Sequence, residues 1–264
     1  MASTESHEPA AYRYPSIPEA RPIGASEGVK WLKAGWGYFQ RSKRVSLLYG
    51  AIFAVIGMAI TWMGLTYPKF ILTFWSGFLL VGPFLAVGLY RLAQQADRGE
   101  TIRLSGCFRT IRANAGNTAL FVLLLSIVMI AWIRFSTIAA ALYIGNVIGT
   151  ANFLAALATP EGLGFLAVLF AVGGFFALVM FALTAWSLPM VLENRTSFGL
   201  AIAASVRAVV HQPIPMLAWG GIVVGLTLIG MLTFFAAFAV IFPWLGYATW
   251  AAYKDVFAEE DADK

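Results

Sequence analysis

Long stretches without a single charged residue constrain this chain more than any other feature. Six of them follow one another, at 45–68, 70–90, 114–133, 135–160, 162–192 and 208–253. A helix needs roughly 20 apolar residues to cross the hydrocarbon core of a bilayer. Only 12% of the 264 residues are charged and 60% are hydrophobic, whereas about a quarter of a soluble domain is charged. The sequence therefore predicts an integral membrane protein.

A threefold pattern organises these stretches. Residues 36–58, 108–129 and 206–226 each pass from a basic, amphipathic approach into an apolar run. Each run is later matched by a return that carries a proline and ends at a charged residue; the prolines are Pro83, Pro189 and Pro243. The pattern predicts an all-α polytopic membrane helical bundle with six transmembrane helices. The six form three hairpins, each preceded by an interfacial amphipathic helix.

The predicted domain boundaries follow from this pattern. The hairpin repeats cover about 26–100, 101–200 and 201–257 of one transmembrane domain, 26–257. Residues 1–25 contain acidic residues and prolines where a signal peptide would have a basic start and an apolar core, so we expect a disordered cytoplasmic tail. Residues 258–264 predict an acidic cytoplasmic tail.

The basic residues predict the orientation. Under the six-span hypothesis nearly all of them fall on one side, which the positive-inside rule assigns to the cytoplasm. We therefore expect both termini to lie in the cytoplasm. The isoelectric point near 9.4 then reports orientation and indicates no nucleic-acid partner.

The stretch 135–160 could form a seventh span. That alternative would move Arg195, Arg207 and the C-terminus to the outside, so we prefer six spans with an apolar external excursion. We expect Arg134, just before this stretch, to extend to the outer interface.

A stripe of small residues within 135–160 could admit a second helix, although an ordinary packed helix is the preferred interpretation. The stripe comprises Thr137, Ala141, Gly145 and Gly149. For Gly221 and Gly225 an ordinary packed helix is likewise preferred to a seam with a second helix.

The sequence GPFLAVGLYR, residues 82–91, interrupts an apolar run. Proline removes an amide donor, and lipid offers no replacement hydrogen bond. We therefore expect Pro83, with Gly82 and Gly88, to face protein and to bend the second span. Tyr90 and Arg91 suit the membrane interface.

Residues that carry common membrane chemistry are scarce. The two histidines, His7 and His211, lie outside the apolar spans, and no Asp or Glu lies inside them. Membrane haem or copper ligation by histidine and carboxylate proton relays therefore have no candidates here. Cys107, the single cysteine, cannot form an internal disulfide. We expect no enzyme activity, no cofactor and no metal site.

Two polar groups near the membrane face are candidate contacts. Glu193 and Arg195 end the fourth span, where a structural cap is preferred to a partner contact. Five basic residues could bind anionic lipid headgroups; they are Lys43, Arg44, Arg91, Arg109 and Arg112.

Three motifs resemble a known family: GPFLAVGLYRLAQQADRGE, SFGLAIAASVRAVVHQP and PWLGYATWAAYKDVF. Together they resemble the bacterial predicted integral membrane proteins called domain of unknown function 2189, over about residues 31–257. The resemblance implies the bacterial inner membrane as the location. Some members carry a cytochrome c oxidase subunit label. Because no histidine lies within the apolar spans of this chain, the resemblance implies an accessory role at most. The family often has histidine where this chain has Tyr247.

Three functions remain open at this stage. The leading hypothesis is a non-enzymatic accessory, assembly or regulatory subunit that packs against another membrane complex, for which a respiratory complex is one option. The first alternative is a transporter or channel for a small solute, which would require a cavity lined by polar residues such as Ser76, Thr184, Ser187 and Thr249. The second is an anionic-lipid-binding protein. Membrane lipids are the expected partners in all three.

Overall fold

The computed structural model describes residues 17–66, 71–104, 115–143, 155, 157–193 and 196–257. These ranges contain nine helices and no strand, which confirms the all-α expectation. The helices are α1 (Glu27–Arg41), α2 (Lys43–Thr66), α3 (Ile71–Asp97), α4 (Ala115–Tyr143), α5 (Pro160–Thr184), α6 (Ser187–Leu192), α7 (Phe198–His211), α8 (Pro213–Leu232) and α9 (Phe238–Val256).

Four helical segments within the described ranges are long and apolar enough to cross a membrane. They are α2, Ala119–Tyr143 of α4, Pro160–Leu192 across α5 and α6, and α8. α3 and α9 are not among them, so the six spans and their hairpin arrangement stay a prediction.

α9 lies at the centre of the fold, with α1 and α2 packed antiparallel along it. Near the end of α9, Asp255 accepts a 2.8 Å hydrogen bond from the Trp31 indole. Half-way along, the hydroxyls of Tyr247 and Ser46 lie 2.7 Å apart. At its beginning, the Phe235 ring lies against Gly57. Residue numbers in α1 and α2 thus rise as those in α9 fall.

The apolar face of α1 is covered by protein. Gly28, Trp31, Gly35 and Phe39 are its buried residues, and their helical spacing forms one stripe. The Trp31 ring meets those of Trp186 and Trp219 edge to face. α1 has the predicted amphipathic pattern, but this stripe packs on α8 and α9.

Aromatic rings fill the centre of the bundle. The rings of Phe53 and Phe242 are stacked with centroids 3.8 Å apart, and the centroid of the Phe78 ring, from α3, lies 4.3 Å from that of Phe53, from α2. Phe235 meets Phe78 edge to face at 5.3 Å. Such rings contribute more than their buried area alone, so this cluster fixes α2, α3 and α9 together.

A tight, apolar turn joins α8 to α9. Phe234 and Phe235 have φ angles of 50° and 68°, in the left-handed region that glycine normally occupies at a helix end. The amide of Phe235 donates to the Gly230 carbonyl, and that of Phe234 donates to the Met231 carbonyl. The turn therefore satisfies its own amides without water, as lipid requires.

Residues 17–26 form a strap across the end of α9. The Arg21 amide donates to the Val256 carbonyl at 3.0 Å, and its guanidinium lies 2.5 Å from Asp255. Gln212 accepts from the Ile23 amide at 2.8 Å and donates to the Arg21 carbonyl at 2.9 Å. This part of the chain differs from the predicted disordered tail because backbone groups and a carboxylate bind it.

α4 and α5 form an antiparallel pair beside the core. Gly173 lies next to Trp132, and Gly164 lies next to Tyr143. α4 continues unbroken through Arg134 to Tyr143, so residues 135–143 extend this helix and begin no separate span. Arg134 is exposed on its surface.

Candidate intramembrane binding cavity

A cavity of about 240 Å³ lies where α2, α3, α5, α6, α8 and α9 meet. Phe53, Trp219, Phe238 and Phe242 supply aromatic walls, and all four are buried. No Asp, Glu, Lys, Arg or His appears among the described residues that line it. The cavity therefore suits a neutral and mainly apolar molecule.

Four of the described residues that line the cavity carry a hydroxyl group: Tyr90, Thr184, Thr227 and Thr249. The Thr184 hydroxyl donates to the Met180 carbonyl at 2.8 Å, and the Thr249 hydroxyl donates to the Leu245 carbonyl at 2.9 Å. Each of these two threonine hydroxyls has given its proton to its own helix, so its oxygen is left as a hydrogen-bond acceptor. A ligand with one or two donors would complement these oxygens.

Two of the four residues that the transport hypothesis required lie at this cavity. Thr184 and Thr249 line it. Ser187 is fully buried and donates to the Leu183 carbonyl at 2.5 Å, away from the cavity lining. The side chain of Ser76 lies outside the described residues.

Glycine at position 82 leaves part of the cavity open. Gly82 lines the cavity, and a Cβ atom built there would meet nothing within 4 Å. Gly246 also lines it but lies against Leu89. A larger side chain at 82 would consequently enter free space.

The predicted helix-break and packing residues divide into three groups. Gly88 lies against the Tyr49 hydroxyl, and Pro189 and Pro243 are buried, so these three lie inside the protein, whereas Gly82 borders the cavity. Gly221 and Gly225 are exposed, and nothing approaches their Cβ positions within 4 Å. Within the described chain they pack against no other helix, so their assignment as packing residues stays a prediction for a contact with another protein. Gly145, Gly149 and the side chain of Pro83 lie outside the described residues.

Sequence reasoning missed the glycines at the closest helix contacts. A Cβ at Gly35 would lie 2.6 Å from the Ala248 amide nitrogen. A Cβ at Gly50 would clash with the Ala239 carbonyl, the group whose helical donor is replaced by Pro243. The spacing of Ser46, Gly50 and Gly57, a small-residue face along α2, was the available signal.

The candidate headgroup and partner residues include some that are paired within the chain, some that are exposed and some that lie outside the described residues. Arg91 donates to Gln94 and lies 3.6 Å from Glu100, so its charge is matched within the chain. Glu193 accepts from the Tyr253 hydroxyl at 2.9 Å and lies 3.4 Å from Lys254, a structural role. Lys43 and Arg44 are exposed. Arg109, Arg112 and Arg195 lie outside the described residues.

Two carboxylates that the sequence analysis did not single out, Asp97 and Asp255, accept hydrogen bonds from side chains of neighbouring segments. Asp97 accepts from the Tyr38 hydroxyl at 2.5 Å and from the Trp250 indole at 2.9 Å. Burial first, and then this hydrogen bond, raises the pKa of Tyr38, so its hydroxyl stays protonated and donates. Burial raises the pKa of Asp255, but the hydrogen bonds from Arg21 and Trp31 outweigh that effect and lower it.

The chain was compared with protein families, curated proteins and solved structures. No curated protein and no solved structure matches the chain. One protein family, described as "Predicted integral membrane protein (DUF2189)", matches residues 70–193. That segment runs from the beginning of α3 to the end of α6 and includes Gly82, Thr184 and Leu188 of the cavity wall. Over residues 70–193 the chain is thus similar to the integral membrane proteins of domain of unknown function 2189, which confirms the resemblance found in its sequence for that segment.

Proposed function

We propose that this non-enzymatic membrane protein binds a small, uncharged and mainly apolar solute in the cavity, as a transporter or channel for such a solute would. The cavity carries the proposal, since it lies among the apolar helices and no charged group lines its described wall. An apolar cavity of about 150 Å³ can hold benzene. A cavity of about 240 Å³ therefore accommodates a ligand of roughly ten non-hydrogen atoms.

The proposed topology has six membrane helices: α3 joins the four apolar segments, and the uncharged part of α9, residues 238–253, pairs with α8 in a hairpin that enters the membrane. The first 20 residues of α3, 71–90, are uncharged and extend about 30 Å at 1.5 Å per residue. The contact of Arg21 with Asp255 supports ends that share one face. That face is the more basic one, which favours the cytoplasm of a bacterial cell.

The test compares two glycine replacements in the purified chain. Gly82→Leu fills the cavity, whereas Gly221→Leu places the same side chain on an exposed face that nothing contacts. With 1-octanol as the probe, the thermal midpoint should rise for the native chain and for Gly221→Leu, because a ligand that binds the folded state stabilises it. It should not rise for Gly82→Leu. An equal rise in both variants would contradict the proposal, since octanol would then act outside the cavity.

A second function, the accessory, assembly or regulatory subunit of another membrane complex, draws support from α4 and α5. The most apolar 18-residue window of Pro160–Leu192 contains no buried residue, although it is the most hydropathic of the four segments. These helices therefore present their surface to lipid or to another membrane protein. Purification from native membranes in mild detergent tests this role: stoichiometric recovery of a complex, respiratory or other, would support it. Recovery of the chain alone would count against it.

A further inference from the structure

We infer that the junction between α1 and α2 is a binding site for the phosphate group of an anionic phospholipid. An open cleft of about 370 Å³ lies at this junction. Its described wall consists of Gln40, Arg41, Ser42, Lys43, Arg44 and Val45, with Ile102 from the segment after α3. Three of these seven residues are cationic and none is acidic.

The junction is held rigid from inside the protein. The Ser42 hydroxyl donates to the Tyr38 carbonyl at 3.0 Å and lies 2.9 Å from the Ser46 hydroxyl. Ser46 in turn lies 2.7 Å from the Tyr247 hydroxyl, and both residues are fully buried. This chain of hydroxyls fixes the break between the two helices, so the three cations flank one cleft in a set arrangement.

The cations of the cleft have no carboxylate partner among the described residues. Arg21, Arg91, Arg207 and Lys254 each lie within 4.0 Å of a carboxylate. Arg41 instead lies 6.0 Å from the centroid of the Tyr38 ring, and Lys43 and Arg44 are exposed. A local excess of positive charge at a membrane surface attracts anionic headgroups.

The position of the cleft selects a lipid as the source of the phosphate. The exposed apolar face of α2 begins one turn after Lys43, with Leu47 and Leu48 at 43% and 53% exposure and Ile52 at 52%. A headgroup bound at Lys43 and Arg44 would place its acyl chains along this face. Of the five basic residues considered from the sequence, the inference depends on Lys43 and Arg44 at the beginning of α2, joined by Arg41.

The test measures lipid retention by the full chain. The double variant Lys43→Gln/Arg44→Gln removes two charges from the cleft, and Lys30→Gln/Lys33→Gln removes two from α1, outside the cleft lining. After reconstitution in phosphatidylcholine–phosphatidylglycerol vesicles and extraction in detergent, bound phosphatidylglycerol is quantified by mass spectrometry. Each cleft charge should contribute about five-fold to affinity, so the first variant should bind roughly twenty-five-fold more weakly. The second variant should retain lipid like the native chain.

Three outcomes would overturn the inference. They are unchanged retention in the cleft variant, equal loss in both variants, and tight binding of soluble glycerol phosphate or inorganic phosphate without lipid, which would indicate a free-phosphate site. Thermal midpoints and gel-filtration profiles of both variants establish that each is folded. The octanol response of the cavity is a separate readout, so failure of this site leaves that proposal intact.

Discussion

Single glycines decide how closely the central helices approach. Gly35 and Gly37 lie two positions apart on α1, yet their surroundings differ completely. A Cβ at Gly35 would lie 2.6 Å from the backbone nitrogen of Ala248, whereas a Cβ at Gly37 would meet nothing within 4 Å. Backbone cannot rotate away as a side chain can, so the first position tolerates no added atom without movement of α1.

Gly35→Ala should therefore destabilise the protein by about 1–3 kcal/mol through overpacking. Gly37→Ala should stabilise it by up to about 1 kcal/mol, because alanine favours a helix over glycine. Unfolding of the purified protein in detergent, followed by tryptophan fluorescence, measures both. Equal stability of the two variants would show that α1 does not pack on α9 in this way.

The turn between α8 and α9 marks how far this helix pair extends into the membrane. Phe235 packs on Gly57, 14 residues after Lys43 at the start of α2. At 1.5 Å per residue this point lies about 21 Å along α2, short of the roughly 30 Å that a full crossing requires. Leu232 and Phe234 at the tip are 81% and 67% exposed. We expect the tip to remain in hydrocarbon.

Cysteine labelling tests that depth. In a Cys107→Ser background, Phe234→Cys should resist a membrane-impermeant maleimide applied to both sides of the membrane. Glu161→Cys, at the beginning of α5, and Lys33→Cys, on the exposed side of α1, should react. Rapid labelling at position 234 would place the tip in water and make the third hairpin a full crossing.

At the scale of the whole molecule, the strap links the two ends of the described chain in a pH-dependent way. The pKa of Asp255 is lower in the folded state than its ordinary value. A lowered pKa adds stability above the ordinary value of about 4, and that stability is lost as the pH falls through the folded value. Amides of residues 17–26 should therefore be protected from hydrogen exchange at neutral pH and lose protection below about pH 4, after correction for intrinsic rates.

Asp255→Asn should loosen the strap at neutral pH and remove this pH dependence. Glu19→Gln is the matched control, because it breaks only the exposed pair with Arg207, and such pairs contribute little. Protection that is unchanged in Asp255→Asn would mean that the remaining hydrogen bonds, to the carbonyls of residues 255 and 256 and with the Gln212 side chain, hold the strap without the carboxylate.

The sequence by itself determined the membrane class, the helical fold and the similarity of residues 70–193 to a family of integral membrane proteins. Uncharged runs of at least 20 residues have few alternatives to membrane helices, and the first of the three motifs, residues 82–100, lies within the segment that the family matches. It also predicted that Gly88, Pro189 and Pro243 pack against protein. Each of these inferences depends on a local property: charge, length or a missing amide donor.

Only the tertiary structure decided which apolar surfaces meet. It placed α9 at the centre, covered α1, left Gly221 and Gly225 facing outward, and opened a cavity beside Gly82 and Thr184. The physical reason is that lipid tails are as apolar as leucine, so a residue facing lipid and one facing another helix follow the same pattern. In a membrane, hydrophobicity reports insertion, and the contacts between helices depend on shapes that no single segment encodes.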